Sequence, residues 1–349
     1  MAPRFDHDGS TKRFIHPAAS QVNLLLLTGF GCVIGSKHTA GQFHRGRHGA
    51  ASVESFAQWD DRPNHMRYFE LAEPSTLEEA CGLLNDNGEA KVIAGGTALL
   101  TLIKHGIFIP KTLINLKKIK AAGDITYDAE KGLRIGALAA IYDVESSPLV
   151  RQYYPVLAEA CHVVANIRIR NMATIGGNLA HGDYQSDPPT ALLALDAGVE
   201  LMSRSGEREV KVADFLRGSY ETALEPGELV SALVVPPVAT DLRGSYIKFT
   251  TGSSEERPCA GIAALASMEN GVCRELRLVV GAVSPKPVRM RRGETMARGE
   301  KLTPELIERI AAEASRNVEP IDDLRGSAEY KRHLVKILVG RAVNACVRN

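Results

Sequence analysis

Two short stretches hold the residue types and spacing that could do chemistry: "IAGGTALL" at 93–100 and "ATIGGNLAHGDYQSD" at 173–187. Each runs from an apolar residue through two glycines to a short polar one, and neither meets a Lys or Arg before Lys104 or Arg204 respectively. Glycine lets main-chain N–H groups approach a bulky anion and adopt positive φ, so two such loops can nest a diphosphate without a side-chain cation. Thr97 and Thr174 add hydroxyls. Gly95-Gly96 stands directly before an expected helix, where unpaired N–H groups and the positive dipole end favour phosphate. Asp187 could accept hydrogen bonds from a ribose or an amine. Together these point to a dinucleotide, and the absence of G-x-G-x-x-G says that it is not held in the Rossmann manner. The plain alternative is that each Gly-Gly pair is a tight turn and that Asp187, before Pro188-Pro189, is a helix N-cap.

The elements that must position these loops are readable after Met66. "RYFELAEP" reads as a strand, and Ser75 with Glu78 forms a capping box for a helix through "TLEEACGLLND". "AKVIAGGTALLTLIKHG" gives a buried strand, a glycine turn and a second helix ahead of the strand "TLINL", which completes a β-α-β-α-β unit. "DITYDAEKGLRIG" is a hairpin, followed by helical stretches at 139–146 and 151–165 and, after the second glycine loop, near 189–197. "VELMSRSGEREVKV" is a second hairpin turning at Ser205-Gly206, and Pro236-Pro237 stops the strand in "ELVSALVVPP". Beyond it, "GSYIKFTTGSS", "CAGIAALASMENG" and "VCRELRLVVGAVSP" read as three antiparallel strands with an Asn270-Gly271 hairpin turn. Amphipathic helices at 303–316 and 327–346 complete a small α+β tail.

Residues 1–65 differ. They hold six of the ten histidines and the only tryptophan, without a sustained hydrophobic period. Gly29, Gly31 and Gly35 after an apolar run mimic a nucleotide-binding turn, yet Gly41, Gly46 and Gly49 follow where a helix should open. Lys12 and Arg13 ahead of that run suggest a secretory signal, but the glycines interrupt it. The stretch reads as a disordered leader or a mis-called start.

Composition bounds the remaining options. With 349 residues the chain suits two or three domains. Its 42 basic and 41 acidic side chains give a net charge near zero, so no field attracts nucleic acid. No run of about 18 apolar residues suggests a membrane span. Cys32, Cys81, Cys161, Cys259, Cys273 and Cys346 never form a C-x-x-C pair, which predicts no metal on this chain and a reducing, cytoplasmic setting. His162 and His181 lack metal partners at the right spacing and read as hydrogen-bonded structural residues.

"KVIAGGTALL", "IRNMATIGGNLAHGDYQSDPPTALLALDA", "EPGELVSALVVP", "GAVSPKPVR" and "EYKRHLVKILVGRAV" resemble, in this order from Met66 to about Val343, the FAD-binding medium subunit of molybdenum hydroxylases, the family of the xanthine dehydrogenase FAD part and the carbon monoxide dehydrogenase medium chain. The resemblance implies a vanillyl-alcohol-oxidase (PCMH)-type FAD-binding domain over 66–240, of two α+β subdomains at about 66–122 and 123–240. A carbon monoxide dehydrogenase flavoprotein C-terminal-like domain would then occupy 241–349. It further implies FAD-binding loops at Ala94, Gly95, Gly96, Thr97 and Ala98 and at Thr174, Ile175, Gly176, Gly177 and Asn178. Asp187 falls where the family has an acid contacting the FAD, and Lys248 where it has a lysine close to the flavin. Ala98 stands where a polar residue is common, and the cysteine-bearing insertion of one branch is missing.

By the same resemblance the chain is an electron-transfer oxidoreductase subunit. A molybdopterin-binding large subunit and an iron-sulfur small subunit with two-iron clusters are its expected partners, in a heterotrimer or its dimer. No side chain need be a nucleophile or general base; Lys248 would tune the flavin electrostatically, unless it is only a solvated strand-end lysine, and Tyr184 and Tyr220 could shield the ring. Two rival readings remain: a self-contained flavin-dependent oxidase of this fold, and a flavin-less scaffold.

Overall fold

The computed structural model describes residues 68–348; the expected leader at 1–65 lies outside them. β1 (Glu70–Ala72), α1 (Leu77–Asp86), β2 (Ala90–Ile93), α2 (Leu99–Lys104) and β3 (Thr112–Asn115) form the first layer. All its pairings are parallel, in the order β1-β3-β2. Helical crossovers are what parallel neighbours require, and the sequence supplies two. The capping box lies one residue later than expected. Thr76 accepts from Glu79 N at 3.1 Å, while Ser75 N donates to the Glu79 carboxylate at 2.7 Å.

β4 (Ile125–Asp128) and β5 (Gly132–Gly136) make the first hairpin. The helical region that follows is more broken than its pattern suggests: α3 (Ile141–Ser146), α4 (Pro148–Tyr153), α5 (Pro155–His162) and the one-turn α6 (Ile167–Arg170) replace two longer stretches. Pro148 and Pro155 each sit in a helix's first turn, where a missing N–H costs nothing, so each starts a new helix. α7 (Ile175–His181) and α8 (Pro188–Ala194) carry the second glycine loop and its sequel.

β6 (Gly198–Ser203) and β7 (Gly206–Lys211) form the second hairpin, with Ser203 opposite Gly206, so the turn is Arg204-Ser205 rather than Ser205-Gly206. After the one-turn α9 (Val212–Phe215) and the short pair β8 (Leu216–Gly218) and β9 (Glu221–Thr222), β10 (Leu229–Val235) returns to the centre of a five-stranded antiparallel sheet, β4-β5-β10-β6-β7. The main hydrophobic core lies on this sheet, built from Leu133, Ile135, Leu201 and Leu233 against Ile141, Leu157, Ile175 and Leu192 of the helices.

β11 (Arg243–Phe249), β12 (Ala260–Glu269), β13 (Val272–Gly281) and the two-residue β14 (Val288–Arg289) form an antiparallel sheet in that order. It has one strand more than expected, because β14 is too short to show alternation. Asn270 and Gly271 both take positive φ, +51° and +76°, the requirement of the two-residue turn between β12 and β13. α10 (Arg291–Ala297), α11 (Pro304–Arg316) and α12 (Ala328–Arg348) complete the chain.

Almost every residue of β12 is buried, from Ala260 to Ser267. α12 packs against one face of its sheet, while α5 and α8 reach the sheet through β11, β12 and β13. Small side chains at Ala260, Gly261, Ala263, Ala264 and Ala266 permit both layers to come close. The α+β class expected from the sequence holds throughout.

Candidate flavin site

The first glycine loop leaves β2 and enters α2. Gly96 has φ +73°, a region open to glycine at no steric cost. Among the described residues, no acceptor engages the N–H groups of Gly95, Gly96, Thr97 and Ala98, and the α2 N-cap, Ala98, supplies no side-chain bond. All four residues are half-buried. Four unpaired main-chain donors at one bend make a cradle for an acceptor-rich group, since such donors are rarely left without partners.

The second glycine loop packs directly on the first. A Cβ at Gly95 would strike the carbonyl oxygen of Met172 and lie 2.8 Å from Ala173 Cα. A Cβ at Gly177 would come 4.0 Å from the Ala94 side chain and 2.8 Å from Thr174 Oγ1. The two corners that the sequence singles out therefore share one seam.

They are not equivalent. Ile175 N donates to Ala139 O at 3.0 Å and Gly176 N to Ala137 O at 2.9 Å, so these amides hold α7 to the chain after β5. Gly177 N goes to Thr174 Oγ1 at 3.2 Å as a helix cap, and Asn178 N to Thr174 O at 2.9 Å. The Ile175 side chain is in the core, and a Cβ on Gly176 would collide with Ala137. Hence the second corner offers exposed glycine surface at Gly177, the Thr174 hydroxyl hydrogen and the Asn178 side chain rather than a row of bare amides. Asn178 Oδ1 accepts from Ser186 Oγ at 2.8 Å.

That bond leads to the buried acid. Asp187 occupies the N-cap position of α8 but caps nothing. Its carboxylate accepts from Tyr246 OH at 2.8 Å and from Lys248 Nζ at 3.1 Å, and Lys248 Nζ also donates to Val163 O at 2.7 Å. The Lys248 side chain is only 6% exposed, which rules out the solvated-lysine alternative. Burial pushes the Asp187 carboxyl up to about 6, against the opposing pull of Lys248 and of the Tyr246 hydrogen bond. The same burial, with Asp187 beside it, drives the Tyr246 hydroxyl well above its ordinary value.

Two glycines make room for this arrangement. A Cβ on Gly261 would sit 2.5 Å from Tyr246 OH, and one on Gly281 would hit the Thr190 side chain at the start of α8. Tyr246 is absent from the sequence-based site, although its signal was available. Residues two apart on a strand share a face, so Tyr246 and Lys248 of β11 had to point together.

Tyr184, Tyr220 and His181 meet edge-on at the adjoining rim, with centroids 6.4 Å apart for Tyr184–Tyr220 and 5.2 Å for His181–Tyr220. His162 is paired with Glu145 at 2.8 Å, the structural use expected of it.

Comparison with known proteins decides the family. Residues 67–238 match the family model of the FAD binding domain in molybdopterin dehydrogenase, and residues 249–346 that of the CO dehydrogenase flavoprotein C-terminal domain. The carbon monoxide dehydrogenase medium chain of Hydrogenophaga pseudoflava is 33% identical over 278 residues, covering 79% of this chain and 96% of that one. The glyceraldehyde dehydrogenase medium chain of Sulfolobus acidocaldarius is 30% identical over 274 residues, covering 78% and 96%. The chain belongs to this medium-subunit family.

A solved carbon monoxide dehydrogenase structure from Hydrogenophaga pseudoflava, lacking the Mo-pyranopterin moiety of its cofactor, superposes with a TM-score of 0.78. Sequence identity is 32%, and the match covers 81% of this medium subunit and 98% of that chain. The medium subunit is thus an oxidoreductase component with FAD as its cofactor. Its own residues fit that group: the open amides at Gly95–Ala98 suit a diphosphate, the seam at Gly177 has no side chain to obstruct it, and Asn178 beside that seam is bonded to Ser186, next to the buried Asp187–Lys248 pair. No helix among the described residues is long and apolar enough to cross a membrane.

Proposed function

We propose that this chain holds FAD across the seam between its two glycine loops. In the complex it serves as the electron-transfer step between two-iron clusters of an iron-sulfur small subunit and a terminal acceptor. A molybdopterin-binding large subunit oxidises the substrate, in a heterotrimer or its dimer in the cytoplasm. Residues 66–240 make up the FAD-binding domain and 241–349 the C-terminal domain. Bound flavin supplies the ability to take electrons singly and release them in pairs. The chain's task is to bind it, orient it and set its electrostatics.

The observation that carries this reading is the row of unengaged N–H groups from Gly95 to Ala98 beside the side-chain-free edge at Gly177. Those amides bind the diphosphate, with help from the Thr97 and Thr174 hydroxyls and the Asn178 amide. Ile175 and Gly176 support the loop from behind. Asp187 is assigned a further bond from the polar part of the flavin nucleotide beside those to Tyr246 and Lys248, and Lys248, whose charge that carboxylate partly offsets, is assigned to favour the reduced, anionic ring.

The test is flavin retention. The purified full chain should be yellow, and Gly96→Val combined with Gly177→Val should abolish FAD binding. A double variant that keeps its full complement of flavin overturns the assignment. Turnover of an organic substrate by the isolated chain would favour a self-contained oxidase instead.

A further inference from the structure

The segment between α11 and α12 reaches back to the glycine-loop side of the molecule. Asp323 Oδ2 accepts from Gln185 Nε2 at 3.0 Å and from Tyr184 OH at 3.3 Å, two partners far away in sequence. The same oxygen is paired with Lys331 Nζ at 2.8 Å, and Lys331 is completely buried. Arg325 Nη1 donates to Gln185 Oε1 at 3.1 Å, so both ends of the Gln185 amide are held by the 323–325 turn. Arg325 N closes that turn on Asp323 Oδ1 at 2.8 Å.

Gln185 is 4% exposed and directly precedes two residues with stated duties. Ser186 next to it bonds Asn178, and Asp187 follows, paired with Lys248. Within the loop, Gln185 N and Ser186 N both turn back on Asp183, at 3.0 Å each. These short local bonds set its shape but not its place against the rest of the protein. Its position relative to α7 comes from Asn178, and its position relative to the C-terminal part from Asp323 and Arg325 at Tyr184 and Gln185, with Arg257 on Asp183 and Lys248 on Asp187 holding its two ends. Hydrogen bonds to an ionised carboxylate are the strong kind, and the half-buried Asp323, its charge matched by a buried ammonium, is a firm anchor.

We propose that Asp323 is a positioning residue for the flavin site, acting through Tyr184 and Gln185 to fix the loop whose Ser186 holds Asn178 of α7 and which leads into Asp187. The proposal rests on the reading that FAD occupies the seam described above. It gives the C-terminal part of the chain a further hold on cofactor geometry, although Asp323 itself bonds neither Gly95–Ala98 nor Thr174–Asn178.

The test uses the full-length chain, stripped of flavin and titrated with FAD. Tyr184→Phe/Gln185→Leu removes the loop's bonds to the 323–325 turn while leaving the Asp323–Lys331 pair in place. Asp323→Asn/Lys331→Met removes the anchor from the other side and leaves no lone buried charge. Each double variant is expected to bind FAD about tenfold more weakly or worse, on the scale of lost hydrogen bonds to a charged group. At saturating FAD the visible flavin spectrum should also change, because a displaced Asp187 alters the field at the ring. If a double variant does not fold, the single Tyr184→Phe removes one hydroxyl only and should weaken binding several-fold. Affinity within twofold of the wild type in folded variants overturns the proposal. So does weaker binding that merely parallels a fall in apo melting temperature while the saturated spectrum is unchanged. If wild-type chain itself binds no FAD, the flavin reading fails first; if wild type binds and the variants bind equally well, only the role of Asp323 fails.

Discussion

Lys248 and Asp187 lie 61 residues apart in the chain and close a buried ion pair at 3.1 Å, with the Tyr246 hydroxyl on the other carboxylate oxygen. The pair joins the N-terminus of α8 to β11, so it links the glycine-loop layer to the C-terminal sheet. Breaking one half of a buried pair costs more than removing both halves, because the survivor is left charged in a poor solvent. Lys248→Met should therefore destabilise the apoprotein by about 3–5 kcal/mol, and the added change Asp187→Asn should recover much of that loss. Denaturant titration of the four-member cycle measures it; losses that simply add would show that the two groups do not interact.

The raised carboxyl of Asp187 has a pH signature. With a folded-state value of about 6 against an ordinary value of 3.8, the native state holds this proton more tightly than the unfolded chain does. Stability from this group is therefore greatest below about pH 4 and declines as pH rises through about 6. Melting temperatures of wild type and Asp187→Asn, compared from pH 4 to 7.5 without FAD, should diverge in that sense. Wild type loses ground to the variant as pH increases, then runs parallel to it above about 7. A constant difference across the range would place the Asp187 carboxyl in its ordinary range.

Gly95 is the point at which the two loops touch. Gly95→Ala places a methyl group on the Met172 carbonyl, which belongs to backbone and cannot swing aside. FAD retention should drop at least tenfold, with an added stability loss of about 1–3 kcal/mol from overpacking. Gly88→Ala is the matching control, since nothing lies within 4 Å of its added carbon. Flavin content per purified chain reports both. Equal flavin content in the two variants would mean that the seam tolerates separation.

Thr174 caps α7 and, in the proposed reading, also faces the flavin nucleotide. Thr174→Val removes the bond to Gly177 N and should cost about 1 kcal/mol through the lost cap alone, together with weaker FAD binding. Thr174→Ser keeps the hydroxyl and should restore both. FAD titration and thermal melts on the same samples separate the two effects; a serine variant as poor as valine would assign the role to the methyl group instead.

Much of this architecture was legible in the sequence because it follows from local chemistry. The strand endings at Pro236, the turn at Asn270-Gly271 and the paired glycine loops are all set by what proline and glycine alone can do. The offset of the α1 cap from Ser75 to Thr76 shows the limit of that reading, since two adjacent hydroxyls offer equal caps and packing chooses between them. α10 escaped notice because its seven residues, "RRGETMA", carry no apolar stripe.

The candidate site divides the same way. Glycine-loop positions were visible as composition, but the different employment of their amides was not. Ile175 and Gly176 donate to Ala139 and Ala137 only because the chain after β5 passes beside α7, a tertiary accident that no local pattern encodes. Likewise, the sequence leaves Asp187 open between a ligand acceptor and a helix cap, and only the fold, which brings Tyr246 and Lys248 within reach, shows what its carboxylate holds. Arg257, which pairs with Asp183 at 2.6 Å, and Gln185, gripped by Asp323 and Arg325, had no sequence signature at all.

β12 is where these dependencies converge. With one face under α12 and helices of the flavin-loop layer on the other side of its sheet, a methyl group added at Gly261 is felt at the Tyr246 hydroxyl, not in an empty gap. The C-terminal sheet is therefore no interchangeable module. Grafting it from a relative with bulkier residues on that strand would shift the lysine and tyrosine of its neighbour, so chimaeras should inherit cofactor behaviour from both parents at once.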